Sequence, residues 1–233
     1  MCGRYAANRD TGTLTEVFNI KTLPNETLVA NFNISPTSKT YVITQNTKES
    51  RSLEIMTWGL IPSWAKDSST SAKMINARFE TVDEKPSFRS AFSKRRCIIP
   101  MDGYYEWFRP EDSKAKKQPY FIKAKNNPLL AVAGIYEYWK NPDSTSEEKE
   151  IHSFSIITTQ ALLGLATIHD RMPVLVPNRN WDAWLDTDLQ NKDEVRSLIA
   201  TPPNDYFDYY KIGTDVNNAR NNGAELILPL VDI

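Results

Sequence analysis

Turn and breaker residues recur along this chain, and most of the elements they leave between them are short. Pro, Gly, Asn, Asp and Ser recur through all 233 residues, and the apolar stretches between them are mostly short and rich in β-branched and aromatic side chains. Such runs fit strands, because a strand buries a useful face in about five or six residues while a helix needs about three turns. Strands are predicted at Thr40–Thr44, Leu53–Leu60, Cys97–Pro100, Tyr104–Phe108, Pro119–Lys125, Leu129–Trp139, Ser153–Thr159 and Val174–Val176. Helices are predicted at Thr13–Phe18, Pro86–Ser93, Trp181–Leu185 and Lys192–Ile199. Thr13 and Glu16 have the spacing of a capping box, and Pro86 suits a first helical turn, where its missing N–H costs nothing. Strands outnumber helices without alternating with them, so the expected class is α+β with mostly antiparallel sheet. Residues 109–118 and 141–150 read as exposed loops. No repeat or linker divides the chain, so one domain over residues 1–233 is expected.

The composition excludes several function classes. No apolar run approaches the roughly 20 residues of a membrane span, so no membrane partner is expected. The start of the chain lacks a basic stretch followed by an apolar one, which argues against a secretory signal and for a cytoplasmic protein. With two cysteines, Cys2 and Cys97, and two histidines, His152 and His169, neither a disulfide scaffold nor a zinc-binding spacing is present. No metal or cofactor is expected, and any mechanism needing an imidazole has two candidates. Residues 1–125 hold 20 Lys and Arg against 13 Asp and Glu, and the remainder 8 against 16. A basic half suits a phosphate-binding face, although such a count by itself reads as ordinary surface charge.

The most reactive feature is the start, Met1-Cys2-Gly3-Arg4-Tyr5. An initiator methionine is normally removed before a small residue, so the mature chain is expected to begin at Cys2. Its α-amine, with an ordinary pKa of about 7.7–8, is then partly neutral and nucleophilic. Beside it lies a thiol of pKa about 8.5. A 1,2-aminothiol condenses with an aldehyde through its amine, and its thiol then closes a five-membered thiazolidine ring. An internal cysteine has no free amine for this. An isolated Met-Cys start reads more simply as a small residue at a frayed end. Tyr5, which suits anchoring, and Gly3, which permits close backbone approach, argue that this one is held.

Further segments, in order, carry a resemblance. They are Asn33-Ile34-Ser35-Pro36, Trp58–Trp64, Ile75–Glu80, Arg96–Pro100, Asp102–Trp107 and Ile168–Pro173, with a weaker match at Val216-Asn217. Together with Met1–Tyr5, this ordered set resembles the SOS-response-associated peptidase (SRAP) family, whose members act as abasic-site shields. The resemblance implies a β-rich pseudo-barrel, mostly antiparallel, with flanking helices. It implies that the partner is single-stranded DNA containing abasic sites, bound by a monomer that is nucleoid-associated when on DNA. No protein partner is implied. In this family Cys2 would bond to the ring-opened deoxyribose, Asn76 would place the sugar and the amino terminus, Glu106 would be the acid/base carboxylate, and His169 the second proton-transfer group. Arg78 and Arg171 would hold flanking phosphates, with Arg4 a weaker candidate. Trp58 and Trp64 would be the stacking candidates.

Each of these residues also has a plainer reading. Glu106 could be the outward position of an alternating strand, His169-Asp170-Arg171 an ion-pair turn, Asn76 a turn residue, and Trp58 and Trp64 packing residues. Cys97, inside an apolar run, reads as a buried core thiol. Ser35 and Met101 depart from the smaller residues of the family pattern and could tune the groove. Three rivals stay open at this point: a Cys2 amidotransferase or other amino-terminal-nucleophile hydrolase, an (auto)peptidase pairing Cys2 with His169, and a non-covalent reader of modified bases. The amidotransferase lacks accompanying Gly- and Asn-rich segments for glutamine binding.

Overall fold

The short apolar runs do form strands, and several still shorter polar segments join them. The computed structural model describes residues 2–47, 50–110, 116–142, 145 and 149–230, so the central parts of both predicted loops lie outside the described residues. In chain order the elements are β1 (Tyr5–Ala7), α1 (Thr11–Phe18), β2 (Ile20–Thr22), β3 (Asn31–Ile34), β4 (Lys39–Thr47), β5 (Ser50–Trp58) and β6 (Asn76–Arg78). Then come α2 (Arg89–Lys94), β7 (Arg96–Met101), β8 (Gly103–Phe108), β9 (Gln118–Ala124), β10 (Leu130–Lys140) and β11 (Glu150–Gln160). The last are α3 (Leu163–Ala166), β12 (Arg171–Pro173), α4 (Trp181–Leu185), α5 (Lys192–Ser197) and β13 (Phe207–Lys211).

Two sheets organise these strands. In the larger, β4 pairs with β5 and β7, β7 with β10, and β10 with β11. A parallel pairing of β11 with β5, Phe154 opposite Trp58, closes the ring into a barrel. Closure hides the edges an open sheet would expose. The second sheet runs β13-β9-β8-β1-β3. The fold is therefore the β-rich barrel with flanking helices that the resemblance implied.

Alternation along the barrel strands separates two cores. Tyr41, Ile43, Ile98, Ala133 and Ile135 face one way, onto Phe18, Phe92, Trp181 and Trp184 of the helices. Val42, Cys97, Ile99, Val132 and Tyr136 face the other way, into a cluster shared with Tyr5, Tyr104 and Ile122 of the second sheet. Cys97 is thus the expected core thiol. Met101 is fully buried in the same cluster, so it lines no groove. A third cluster, with Ala6, Tyr105, Phe121, Ile212 and Val216, covers the other face of the second sheet.

Some predicted elements are corrected by their hydrogen bonds. Helix α1 begins two residues earlier than Thr13, because Asp10 caps it by accepting from the Thr13 N–H at 2.7 Å, and the Thr13–Glu16 capping box is not used. Pro86 precedes α2 rather than starting it, since turn bonds from Phe88 and Arg89 to the Lys85 carbonyl come first. Val174–Val176 is not a strand of its own. It crosses from β11 to β10, with Val174 donating to Ile157 and Val176 to Ala131. No helix among the described residues is long and apolar enough to cross a membrane.

Candidate active site

The second sheet holds the start of the chain from both sides. Strand β1 lies between β3 and β8, with Tyr5 opposite both Ile34 and Tyr104. Pairing extends one residue further, where Tyr105 N–H donates to the Arg4 carbonyl at 2.9 Å. Tyr5 is buried, its ring edge-on to Trp58 with centroids 5.1 Å apart. At the far end of β1, buried Asp102 accepts from Asn8 N–H at 2.7 Å and from Arg9 Nε at 2.6 Å. Gly103 fits opposite Ala6 because a Cβ there would come within 2.6 Å of the Ile122 carbonyl oxygen. Strict alternation would send Cys2 to the face of Arg4. Cys2 instead lies in the Tyr5 core, fully buried, so the alternation breaks at Gly3.

Three predicted site residues meet there. Strand β6 pairs in parallel with β11, which buries Ala77 and turns Asn76 and Arg78 to the opposite side. Asn76 Nδ2 donates to the Cys2 carbonyl at 2.8 Å. The Asn76 Oδ1 is buried and accepts no hydrogen bond among the described residues. Glu106, on β8, is 3% exposed rather than an outward strand residue. Burial pushes its carboxyl up to about 7; nearby Asp170 acts in the same direction and Arg109 in the opposite one. Burial, reinforced by the charge of Glu106, also drives the Cys2 thiol well above its ordinary range. Near neutral pH, therefore, Cys2 carries S–H and not a thiolate, while Glu106 is divided between acid and base.

His169 comes from the turn between α3 and β12, where its N–H donates to the Leu165 carbonyl at 3.0 Å. Its Nδ1 accepts from Arg171 N–H at 3.0 Å and lies 2.8 Å from Asp170 Oδ1. One nitrogen cannot accept the first and donate to the second at once. The two contacts therefore belong to two states of Nδ1, bare when it accepts from Arg171 and carrying hydrogen when it donates to Asp170. Burial lowers the His169 pKa, which favours the neutral form.

The predicted DNA contacts divide. Arg78 is exposed beside Asn76. Arg171 holds Glu80 with two bonds, 2.7 and 2.8 Å, and donates to the Thr158 carbonyl at 2.6 Å. Arg4 donates to Asn33 Oδ1 at 2.8 Å and to the Val216 carbonyl at 3.0 Å. Trp64 is 65% exposed. Trp58 is a correction: it is fully buried, its Nε1 donates to the Ile75 carbonyl at 2.9 Å, and neither ring face is open to a base. Arg109, whose charge acts on both Glu106 and His169, is a site residue missed in the sequence, where it fell in a predicted exposed loop. No cluster of three His, Cys, Asp or Glu side chains suited to a metal ion occurs among the described residues.

Known proteins are similar to this chain over most of its length. Residues 1–219 match the family described as SOS response associated peptidase (SRAP). The chain is 39% identical over 228 residues to the abasic site processing protein YoqW of Bacillus subtilis, covering 97% of this chain and 99% of that one. It is 34% identical over 203 residues to the abasic site processing protein HMCES of Rattus norvegicus, covering 75% of this chain and 56% of that one. A crystal structure of a protein from Bacteroides thetaiotaomicron superposes with a TM-score of 0.85 at 28% identity, covering 99% of this chain and all of that one.

Proposed function

The chain belongs to the SOS response associated peptidase family, and we propose that it processes abasic sites by bonding Cys2 covalently to the abasic sugar in single-stranded DNA. The observation that carries this reading is the setting of Cys2. Its carbonyl is held by Asn76, and its thiol lies within the field of a carboxyl whose pKa is about 7. A free amine on Cys2, exposed by removal of Met1, is the first nucleophile, because burial keeps the thiol protonated.

The steps follow from that order. An abasic deoxyribose exists mainly as a ring-closed hemiacetal, so a proton must leave the hydroxyl on C1′ and another must reach the ring oxygen as the ring opens. The Cys2 amine then adds to the C1′ aldehyde, and the resulting carbinolamine loses water to give an imine. The thiol adds to the imine carbon. A C–S bond forms, the S–H proton passes to nitrogen, and the thiazolidine closes. Glu106, near pKa 7, can give the proton that water loss requires and take it back on reversal. Neutral His169 is the second proton carrier. The buried Asn76 Oδ1, which has no hydrogen-bond partner among the described residues, is an acceptor for the sugar, while Arg78 and Trp64 supply an exposed cation and an exposed ring for the flanking strand.

Burial of the Cys2 thiol, reinforced by Glu106, also weighs against the peptidase rival, since a thiolate–imidazole pair needs the thiol pKa lowered rather than raised. The test is a denaturing gel after incubation with single-stranded oligonucleotides, one abasic and one intact. A denaturation-resistant complex on the abasic strand alone is expected. Reversible retention without such a complex would return the reading to a non-covalent binder.

A further inference from the structure

Two of the matching segments, Asp102–Trp107 and Val216-Asn217, contain residues to which the chemistry above gives no role, and the structure joins them. Trp107 Nε1 donates to Asn217 Oδ1 at 2.7 Å. Around them, Trp107, Lys116, Lys117, Thr214 and Asn217 line an open cleft of about 620 Å³. Both lysines are exposed.

The cleft is joined to the Cys2 site through strand β8. Glu106 and Trp107 are consecutive on it, so their side chains leave opposite faces of the sheet, Glu106 toward Cys2 and Trp107 toward the outer cluster. Arg4 and the Val216 carbonyl, bonded to each other, lie on this same outer face. We propose that this cleft is a subsite for a nucleotide flanking the abasic site, its base on the Trp107 ring and its phosphates at Lys116 and Lys117. Asn217 fixes the tilt of the indole by holding its N–H, so the ring is presented already oriented. An aromatic plate next to two ammonium groups is the composition that single-stranded nucleic acid selects without regard to sequence. Thr214 adds a hydroxyl for a phosphate or sugar oxygen.

This inference rests on the DNA reading, and its test separates the two. Binding and capture are measured with three short abasic oligonucleotides, carrying flanking nucleotides on both sides, on the 5′ side only, or on the 3′ side only. Wild type is compared with Trp107→Leu and with a Lys116→Ser/Lys117→Ser double variant, whose exposed side chains can change without disturbing the core. Both variants are expected to bind the fully flanked strand more weakly, Trp107→Leu by roughly 5- to 150-fold, the range for removing one base stack. The double variant is expected to lower the salt slope by about 0.7 for each phosphate that is no longer neutralised. One of the two one-sided strands should erase both differences, which identifies the side served. Wild-type binding of all three strands by both variants, with capture intact, would overturn the subsite and leave the DNA reading standing. Failure of wild type itself to capture any abasic strand would overturn both.

Discussion

Asp102, just before β8, and Glu106, within it, are both buried carboxylates, and they are held differently. Asp102 receives the Asn8 N–H and the Arg9 guanidinium at 2.7 and 2.6 Å. Glu106 is more deeply enclosed, and burial carries it to about 7. One carboxylate fastens the far end of β1, while the other is poised to exchange a proton beside Cys2. Burial alone thus does not mark a reactive group. Burial raises both carboxyls; what differs is that the Asn8 N–H and the Arg9 guanidinium oppose that rise at Asp102, while Glu106 is carried to about 7.

The largest expected effect comes from exchanging the poised group. Glu106→Gln should slow capture of an abasic oligonucleotide by about 10²–10⁴-fold, the usual worth of a general acid–base group, with His169→Ala falling in the same range. Time courses across pH check this, and the wild-type profile should turn near pH 7, where the Glu106 carboxyl titrates. Wild-type rates in both variants would make these residues structural. Asp102→Asn should leave the rate nearly unchanged in the folded protein.

Stability should move the other way. Because the folded value of Glu106, about 7, lies above the usual 4.5, the folded protein holds more protons than the unfolded chain between those pH values. Its contribution is therefore full below the lower value and declines as pH rises through the window, by about 3 kcal/mol at roughly 1.4 kcal/mol per unit. Glu106→Gln escapes that loss. Denaturant melts should find the variant more stable than wild type at pH 8 and nearly equal at pH 4. Asp102→Asn should instead destabilise by about 1.5–3 kcal/mol, since it weakens charge-assisted bonds and leaves Arg9 uncompensated.

The smallest effect concerns phosphate. Arg78→Gln should weaken binding to single strands and lower the salt slope by about 0.7, the value for one neutralised phosphate. Arg171→Gln, whose guanidinium already holds Glu80, should show less of this and more loss of stability. Equal salt slopes for wild type and Arg78→Gln would remove Arg78 from the DNA face.

Most of the barrel was legible in the sequence because β4, β5, β7, β10 and β11 each contain a short apolar or alternating run rich in β-branched and aromatic residues. Tyr5–Ala7, Asn31–Ile34 and Asn76–Arg78 were not, since three or four residues carry too little periodicity to read. These short strands are the ones that place Cys2 and Asn76, so the architecture of the site was less visible than its residues. Cys2, Asn76 and Glu106 were found through ordered motifs and do converge. Trp58 was misassigned because a tryptophan in a motif reads the same whether its ring packs in a core or faces solvent. Arg109 was missed because its influence on Glu106 and His169 depends on where β8 ends, which no local pattern states.

The central claim is the bond to Cys2, and intact mass after mixing with an abasic oligonucleotide tests it most directly. Wild type should give one species with the mass of the chain lacking Met1 plus the oligonucleotide less one water, stable to denaturation, and Cys2→Ala should give no such stable species. The same stable adduct from Cys2→Ala, or a wild-type chain that keeps Met1 and still forms it, would contradict the assignment.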